Sequence, residues 1–279
     1  MSEMRIAPRN LGDLFVLTSS VTPDTGFEVE NVQDTMRGHV WRSPDESDQS
    51  ISGTRTTPVT MNCLMLFGHA CHGGSIRFRG FSGAGGGGST VIDTGTVAAY
   101  TPVTTGYDHG YADDPDLDTH DPRGLDSPFF AYFTGAAIRS FLLEFSSKST
   151  TYGRSYWGIT RLFLGNYMEL SINPDYGLQY GMAHNDESER TRGGSKVIGL
   201  GGRWSLLQMD LKSITDDEKA AWIDFAERNQ TGRDMAISLF PGAGGRAERD
   251  GTKNVFFSAI DALGQQVNRF ERRVQFEAA

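Results

Sequence analysis

Short apolar runs separated by turn residues recur along the first part of the chain, and they constrain the fold more than any other feature. The runs cover residues 14–18, 40–42, 63–67, 75–81, 90–92, 140–145 and 159–164. They are rich in β-branched and aromatic residues, and Gly, Pro and Asp occupy the breaks. This pattern is typical of a β-sandwich and predicts a first domain that is almost free of helix.

The apolar members of these runs alternate along each predicted strand, so they should point into one core. The glycine-rich segment 83–89 is too flexible for the interior of a strand, and we expect it to form a mobile hairpin tip. Trp41 is expected to contribute much of the core, because large aromatic side chains bury the most apolar area. The residues predicted for the core are Phe15, Trp41, Leu64, Leu66, Phe78, Leu143 and Leu162.

The chain has 279 residues, which is the size of two domains that each bury a core of their own. The pattern changes near residue 170, and we expect one domain over 1–170 and a second over 171–279. We find no long apolar window and no apolar signal core at the amino terminus, so a soluble protein made in the cytoplasm is expected. A net charge of −9 argues against binding to nucleic acid and to anionic membrane surfaces, and the lack of a long apolar window argues against insertion into a membrane.

The second part of the chain combines strands with a single predicted helix. Residues 176–181 and 204–211 alternate as half-buried strands, and a polar loop is expected over 183–194. Thr215 and Glu218 form a capping box, and Gly232 ends the helix, which should span about 215–231. Further strands are expected over 235–240, 254–260 and 269–276. This order predicts an α+β barrel or sandwich.

Four segments of the first domain together resemble a known family. They are Asn31-Val32-Gln33-Asp34, Trp41-Arg42-Ser43, the run 64–69 and the strand 158–165. Over residues 8–170 their order resembles the amino-terminal domain of minor tail and tail-tip proteins of long-tailed bacteriophages, which is a jelly-roll sandwich of the discoidin or galactose-binding type. The carboxy-terminal order is similar to the barrel domains of distal tail and baseplate proteins.

The resemblance implies a structural virion protein and no enzyme activity. It implies a cyclic oligomer formed through the carboxy-terminal domain, with the jelly roll projecting outward, and contacts with the tube, hub and tape-measure proteins of the tail. The protein would be made in the cytoplasm of the bacterial host and located at the tail tip of the virion. Residues expected at or near contacts between subunits are Glu187, Arg190 and Arg192 in the loop 183–194, and Arg269, Arg272 and Arg273.

A carbohydrate-binding protein that contacts a glycan of the host surface is the alternative function. Aromatic residues flank an acidic stretch over 104–128, and sugar rings stack on aromatic faces while carboxylates accept their hydroxyl groups. Tyr107, Tyr111 and Asp113 are the candidate ligand-binding residues. Two other interpretations stay open for the flanking aromatics: 129–133 could be a core strand, or the aromatics could form a contact between proteins.

No cofactor is required by the sequence, although calcium is a possibility in the acidic stretch. Asp114, Asp116 and Asp118 occupy the first, third and fifth positions of a calcium-loop pattern. The turn glycine and the final glutamate of an EF-hand are missing, so that motif is excluded. A looser calcium site and a merely solvated loop both remain open.

Other sites for chemistry find little support in the sequence. Cys63, His69, Cys71 and His72 form one cluster crossed by a strand, whereas structural zinc sites pair their ligands in two separate knuckles. Buried thiols and turn histidines are therefore expected. Two cysteines also exclude a disulfide framework. The chain has neither the nucleophile elbow of a serine hydrolase nor a phosphate-binding loop, so an enzyme is not expected.

Overall fold

The computed structural model describes a defined part of the chain. The described residues are 4–36, 38–71, 73–99, 128–148, 155–169, 179–184, 187–190, 196–199, 203–214, 233–242, 248, 251–260, 264–266 and 269–278. Within these residues, no helix is long and apolar enough to cross a membrane. The helix predicted over about 215–231 lies outside the described residues.

The protein is mainly β, which confirms the predicted fold class. Within the described residues, 3-10 helices span Gly12–Leu14, Val29–Gln33 and Ala84–Gly86. The strands are β1 Arg5–Ala7, β2 Val16–Ser19, β3 Trp41–Arg42, β4 Gln49–Phe67, β5 Ser75–Phe81, β6 Thr90–Asp93, β7 Val97–Ala98, β8 Phe129–Ser146, β9 Gly158–Ile159, β10 Arg161–Gly165, β11 Met168–Glu169, β12 Gln179–His184, β13 Glu187–Arg190, β14 Lys196–Gly199, β15 Arg203–Ile214, β16 Asp234–Ser238, β17 Thr252–Ile260, β18 Gly264–Gln266 and β19 Arg269–Ala278.

The chain divides into two compact units. The first contains Met1–Glu169 together with Ala236–Lys253, and the second contains Leu170–Met235 together with Asn254–Ala279. The segment Ala236–Lys253 joins the first unit because β16 pairs with β1, so that Arg5 lies opposite Ser238 and Ile6 opposite Ile237. The division into domains 1–170 and 171–279 with separate folds stays a prediction.

Two unusually long strands organise the first unit. β4 and β8 have 19 and 18 residues and pair antiparallel along most of their length. The register breaks between Thr54 and Val59 and again between Met61 and Cys63. Before the first break β4 lies between β2 and β8, and after the second it lies between β10 and β8. β5 continues the sheet beside β8, and it pairs with β6 and β7.

Apolar side chains from both ends of these strands meet in one core. Ile51, Phe141 and Leu143 come from one end, and Leu64, Leu66 and Phe129 come from the other. Ring contacts join strands across this core, since the centroids of Phe78 and Phe133 are 5.6 Å apart. All seven residues predicted for the core are buried: Phe15, Trp41, Leu64, Leu66, Phe78, Leu143 and Leu162. The predicted core is therefore confirmed.

A second apolar cluster lies on the opposite face of the far end of β4. Cys63, Met65 and Phe163 pack there against Ala7 of β1 and Ala236 of β16. The Arg5 guanidinium lies 4.2 Å from the ring centroid of Tyr132, and Arg5 Nε donates a hydrogen bond of 2.7 Å to Glu169 Oε1. These contacts fix β1 between β11 and β16.

The glycine-rich segment is anchored, which corrects the expectation of a mobile tip. Ser140, which is buried in β8, donates its hydroxyl to Gly83 O at 2.6 Å and accepts from Gly86 N at 2.9 Å. The Thr54 hydroxyl accepts from Gly85 N at 3.1 Å. Gly85 and Gly86 have φ values of 62° and 80°, which side chains rarely tolerate, so the glycines permit this tight loop. The glycines are needed because they can adopt the positive φ values of this one loop conformation.

The described strands of the second unit are antiparallel. β15 pairs with β12 and with β19, β19 also pairs with β17 and β18, and β13 pairs with β14. The strands predicted over 204–211, 254–260 and 269–276 are confirmed as β15, β17 and β19. The polar loop predicted over 183–194 is wrong in part, because β13 occupies Glu187–Arg190. A polar sequence forms a strand there because its backbone has a partner in β14.

Candidate ligand-binding site

Most site residues chosen from the sequence lie outside the described residues. These are Tyr107, Tyr111 and Asp113 for a ligand, Asp114, Asp116 and Asp118 for calcium, and Arg192 for an interface. The backbones of Glu187 and Arg190 lie on β13, and those of Arg269, Arg272 and Arg273 lie on β19. The binding, calcium and interface roles stay predictions. Phe129, in the segment 129–133, is a buried core residue of β8, which favours the core-strand interpretation of that segment.

The structure describes three members of the cysteine and histidine cluster, Cys63, His69 and Cys71, and His72 lies outside the described residues. Cys63 and Cys71 are both buried, and they belong to different apolar clusters. Burial raises the pKa of each thiol to about 12, so neither is a thiolate at neutral pH. His69 is buried, and its Nδ1 accepts a hydrogen bond from Cys71 N at 3.3 Å. Within the described residues, no group of three or more His, Cys, Asp or Glu side chains is placed to hold a metal ion.

Asn31 and Gln33 are clamps that shape the surface loop 24–42. Asn31 Nδ2 donates to Gly26 O and to Val40 O, both at 3.1 Å. Gln33 Nε2 donates to Gly12 O at 2.9 Å and to Phe15 O at 2.8 Å. Asn31 therefore ties residues on both sides of the 3-10 helix Val29–Gln33 to that helix, and Gln33 ties the segment 12–15 to it. The segment that carries the family resemblance has a scaffolding role.

A tight turn at Asp24 presents an aromatic side chain at the start of this loop. Phe27 N donates to Asp24 O at 2.9 Å, and Gly26 has a φ of 87°. This is the pattern of a type II turn, which needs glycine at its third position. Glu28 Oε1 accepts a hydrogen bond from Gly26 N at 3.0 Å. The turn thus has a fixed backbone, and the sequence around Phe27 carries two carboxylates, Asp24 and Glu28.

Arg42 lies beside this turn, between two aromatic rings. Its backbone N donates to Phe27 O at 3.3 Å, and β3 pairs with β9 so that Arg42 is opposite Gly158. The guanidinium carbon is 4.0 Å from the ring centroid of Tyr156 and 5.5 Å from that of Phe27. Arg42 Nε is 3.7 Å from Asp24 Oδ2, and the two side chains are 37% and 45% exposed. We call Asp24, Phe27, Arg42 and Tyr156 the Arg42 cluster.

The Arg42 cluster stands on a rigid base. Ser43 N donates to Trp157 O at 2.9 Å, and Trp157 N donates to Ser43 Oγ at 2.8 Å. Trp157 is fully buried, and its Nε1 donates to Ser47 O at 2.8 Å. The Lys148 ammonium donates to Tyr156 O. The side chains of Arg42 and Tyr156 contact each other. Backbone hydrogen bonds at or next to both residues fix their positions.

The cluster offers recognition groups of three kinds. Tyr156 and Phe27 present half-buried aromatic faces or edges, Arg42 presents N–H donors, and Asp24 presents carboxylate oxygens. Arg42 Nε is buried and forms no hydrogen bond within the described residues, although the side chain as a whole is 37% exposed. The terminal nitrogens of the guanidinium carry further N–H donors with which a ligand can form hydrogen bonds. The arrangement suits a small polar molecule that has both an apolar face and hydroxyl groups.

Sequence reasoning missed this site because it assigned Arg42 only to a strand. Two signals in the sequence point toward it. Gly26 followed by Phe27 indicates a turn that exposes an aromatic residue, and the Tyr156-Trp157 pair places one ring in the core and its neighbour at the surface. The sequence does not indicate that these two segments contact each other, because they are more than a hundred residues apart.

No protein-family model matches the chain, and no curated protein matches it. Solved structures with similar coordinates include chitosan-binding module 1 of a chitosanase/glucanase from Paenibacillus sp. IK-5, at 16% identity over 56% of this chain and 98% of that chain, with a TM-score of 0.40. The family 32 carbohydrate-binding module of NanJ from C. perfringens, in complex with galactose, has 9% identity over 59% and 99%, with a TM-score of 0.38. A CBM32 module from Clostridium perfringens in complex with GalNAc-β-1,3-galactose has 13% identity over 57% and 99%, with a TM-score of 0.37. Identities and TM-scores this low do not identify a function for the chain.

Proposed function

We propose that the protein is a non-catalytic carbohydrate-binding protein that holds a sugar ring at the Arg42 cluster. The observation that carries this proposal is the placement of the Arg42 guanidinium, on a side chain that is 37% exposed, against Tyr156 and near Phe27 and Asp24. A sugar has an apolar face for the aromatic groups and hydroxyl groups for the charged ones. Both kinds of group are present at one surface, on a fixed backbone.

Each member of the cluster has a distinct role in the proposed complex. Arg42 donates hydrogen bonds to ring hydroxyls or to the ring oxygen, and its planar fork reaches two neighbouring oxygens at once. Asp24 accepts hydrogen bonds from hydroxyl groups. Phe27 and Tyr156 provide apolar contact with the C–H face of the sugar. Because the turn at Gly26 and the pairing of β3 with β9 are already formed, little ordering entropy is lost on binding.

Glycan-array binding by the full chain, followed by titration calorimetry with the best ligand, tests the proposal. Arg42→Ala should weaken binding by about tenfold or more, since a hydrogen bond to a charged group contributes about 1.5–3 kcal/mol. Arg42→Lys keeps the charge but loses the planar fork, so it should also weaken binding. Phe27→Ala should weaken binding through loss of apolar contact.

Arg77→Ala is the matched control. The Arg77 side chain is 38% exposed, which is close to the exposure of Arg42, but it is paired with Asp93 on the neighbouring strand at 2.6 Å. Its loss should leave sugar binding unchanged. Unaltered binding by Arg42→Ala, or a failure of the parent chain to bind any glycan, would contradict the proposal. Circular dichroism of each variant establishes that the fold is retained.

The tail-tip role stays a prediction from the sequence resemblance. The cyclic oligomer, the tail-protein partners and the location in the virion belong to that same prediction. A glycan-binding surface is compatible with a module that projects from a particle toward a host cell. Electron microscopy of particles with this chain located would test the tail-tip role independently of sugar binding.

A further inference from the structure

We propose that Asp24 makes the Arg42 cluster select neutral sugars over acidic ones. This inference rests on the proposed function, because it concerns the class of sugar that the same site accepts. It starts from the position of the Asp24 carboxylate, which lies 3.7 Å from Arg42 Nε. A ligand that approaches the Arg42 guanidinium therefore also meets the Asp24 carboxylate.

The turn fixes the Asp24 backbone at this position. Asp24 O accepts the hydrogen bond from Phe27 N that closes the turn, and Gly26 supplies the left-handed residue that the turn requires. Because the backbone is fixed, the carboxylate has only its own side-chain torsions with which to move away from Arg42. It stays close to any ligand that reaches the guanidinium.

A second carboxylate adds to the negative charge of the same turn. Glu28 accepts from Gly26 N at 3.0 Å, and hydrogen bonds from backbone N–H groups, first its own and then that of Gly26, hold the pKa of Glu28 below its usual value. It is ionised at neutral pH. His39 does not offset this charge, because its Nδ1 lies 2.7 Å from Asp34 Oδ2 and the two form a pair of their own.

The charges of Arg42, Asp24 and Glu28 favour the binding of a neutral sugar over that of an acidic one. A neutral sugar donates a hydroxyl hydrogen bond to Asp24 and accepts one from Arg42, so both groups keep favourable partners. The carboxylate of an acidic sugar is attracted to Arg42 but meets Asp24 at nearly the same distance, and Glu28 lies on the same turn. To pair with the guanidinium, the sugar carboxylate would have to displace the Asp24 carboxylate. Like charges this close cost several-fold in affinity even when water and salt screen them.

Matched sugar pairs test the selectivity with the full chain. The probes are the methyl glycosides of glucose, galactose and mannose, each compared with its uronic acid, and the readout is affinity from titration calorimetry or chemical-shift titration. We expect at least one neutral sugar to bind about fourfold to tenfold more tightly than its uronic acid in 0.1 M salt. Asp24→Asn should reduce this ratio toward one, mainly by improving the affinity for the acid.

Asp93→Asn is the control, since it removes one equal charge from a carboxylate that is paired with Arg77. It should leave the neutral-to-acidic ratio unchanged. Equal binding of a neutral sugar and its acid by the parent chain overturns the inference, as does a ratio that Asp24→Asn leaves unaltered. Absence of binding to every neutral and acidic sugar overturns the proposed function itself. The two failures are therefore distinguishable.

Discussion

Two fully buried tryptophans in the same core should respond differently to the same substitution. Trp41 and Trp157 are both 0% exposed, and Phe145 lies between them with its ring centroid 5.5 Å from each. Trp157 Nε1 donates to Ser47 O at 2.8 Å, whereas Trp41 Nε1 has no hydrogen-bond partner within the described residues. Replacing each by phenylalanine removes a similar volume. The difference between the variants thus isolates the role of the indole N–H.

The contacts of each tryptophan set the size of that difference. Trp157→Phe loses a hydrogen bond with a net contribution of about 0.5–1.5 kcal/mol. It also weakens a cation–π contact of about 0.5–1 kcal/mol with the Lys148 ammonium, which lies 4.7 Å from the ring. Trp41→Phe removes a buried donor whose lack of a partner costs about 1–3 kcal/mol. We therefore expect Trp157→Phe to be more destabilising than Trp41→Phe by about 2–5 kcal/mol.

Urea unfolding monitored by far-UV circular dichroism measures this difference without depending on tryptophan fluorescence. The free energy of unfolding comes from the midpoint and slope of each transition, and unchanged slopes would show that both variants unfold the same structure. Equal destabilisation by the two substitutions would refute the assignment of an unsatisfied donor to Trp41. A larger loss for Trp41→Phe would show that its N–H has a partner in the folded protein.

Three further outcomes are expected. A Cβ atom added at Gly53 would lie 2.1 Å from Phe141 Cε1, so Gly53→Ala should lower the free energy of unfolding by about 1–3 kcal/mol in urea titration. Both cysteines have a pKa raised to about 12 by burial, so the native protein should resist a thiol reagent at pH 8 and should react at both thiols once unfolded. Hydrogen bonding to Arg77 lowers the pKa of Asp93 from 3.8 to about 2, so its contribution to stability is present above pH 3.8 and is lost as the pH falls toward 2. Asp93→Asn should accordingly show a shallower fall in melting temperature over this range.

The sequence predicts the core of the first unit well because strand alternation is a local property. Phe15, Phe78 and Leu143 occupy alternating apolar positions, and each is buried. The same reasoning fails where a residue's environment is set by a distant segment. Ser140 is polar and yet buried, because the glycine-rich loop folds over it and uses its hydroxyl. Nothing near Ser140 in the sequence indicates that partner.

The candidate site was outside the reach of the sequence for the same reason. Phe27, Arg42 and Tyr156 come from three separate segments, and their meeting depends on the pairing of β3 with β9 and on the Asn31 clamp. Sequence reasoning marked Asn31 and Trp41 as informative, and both have scaffolding roles next to the site. Sequence reasoning therefore located the scaffolding residues beside the site but not the side chains that form the site.

The pairing of β1 with β16 has a consequence for the synthesis of the chain. Arg5 is translated before the segment 170–233, but its partner Ser238 follows only after that whole segment has been translated. At roughly 5–20 residues per second, that segment takes several seconds. During this interval Met65 and Phe163 lack the cover of Ala236, and an apolar surface is exposed on the nascent chain. The ribosome-bound intermediate should therefore be a substrate for chaperones until β16 is released.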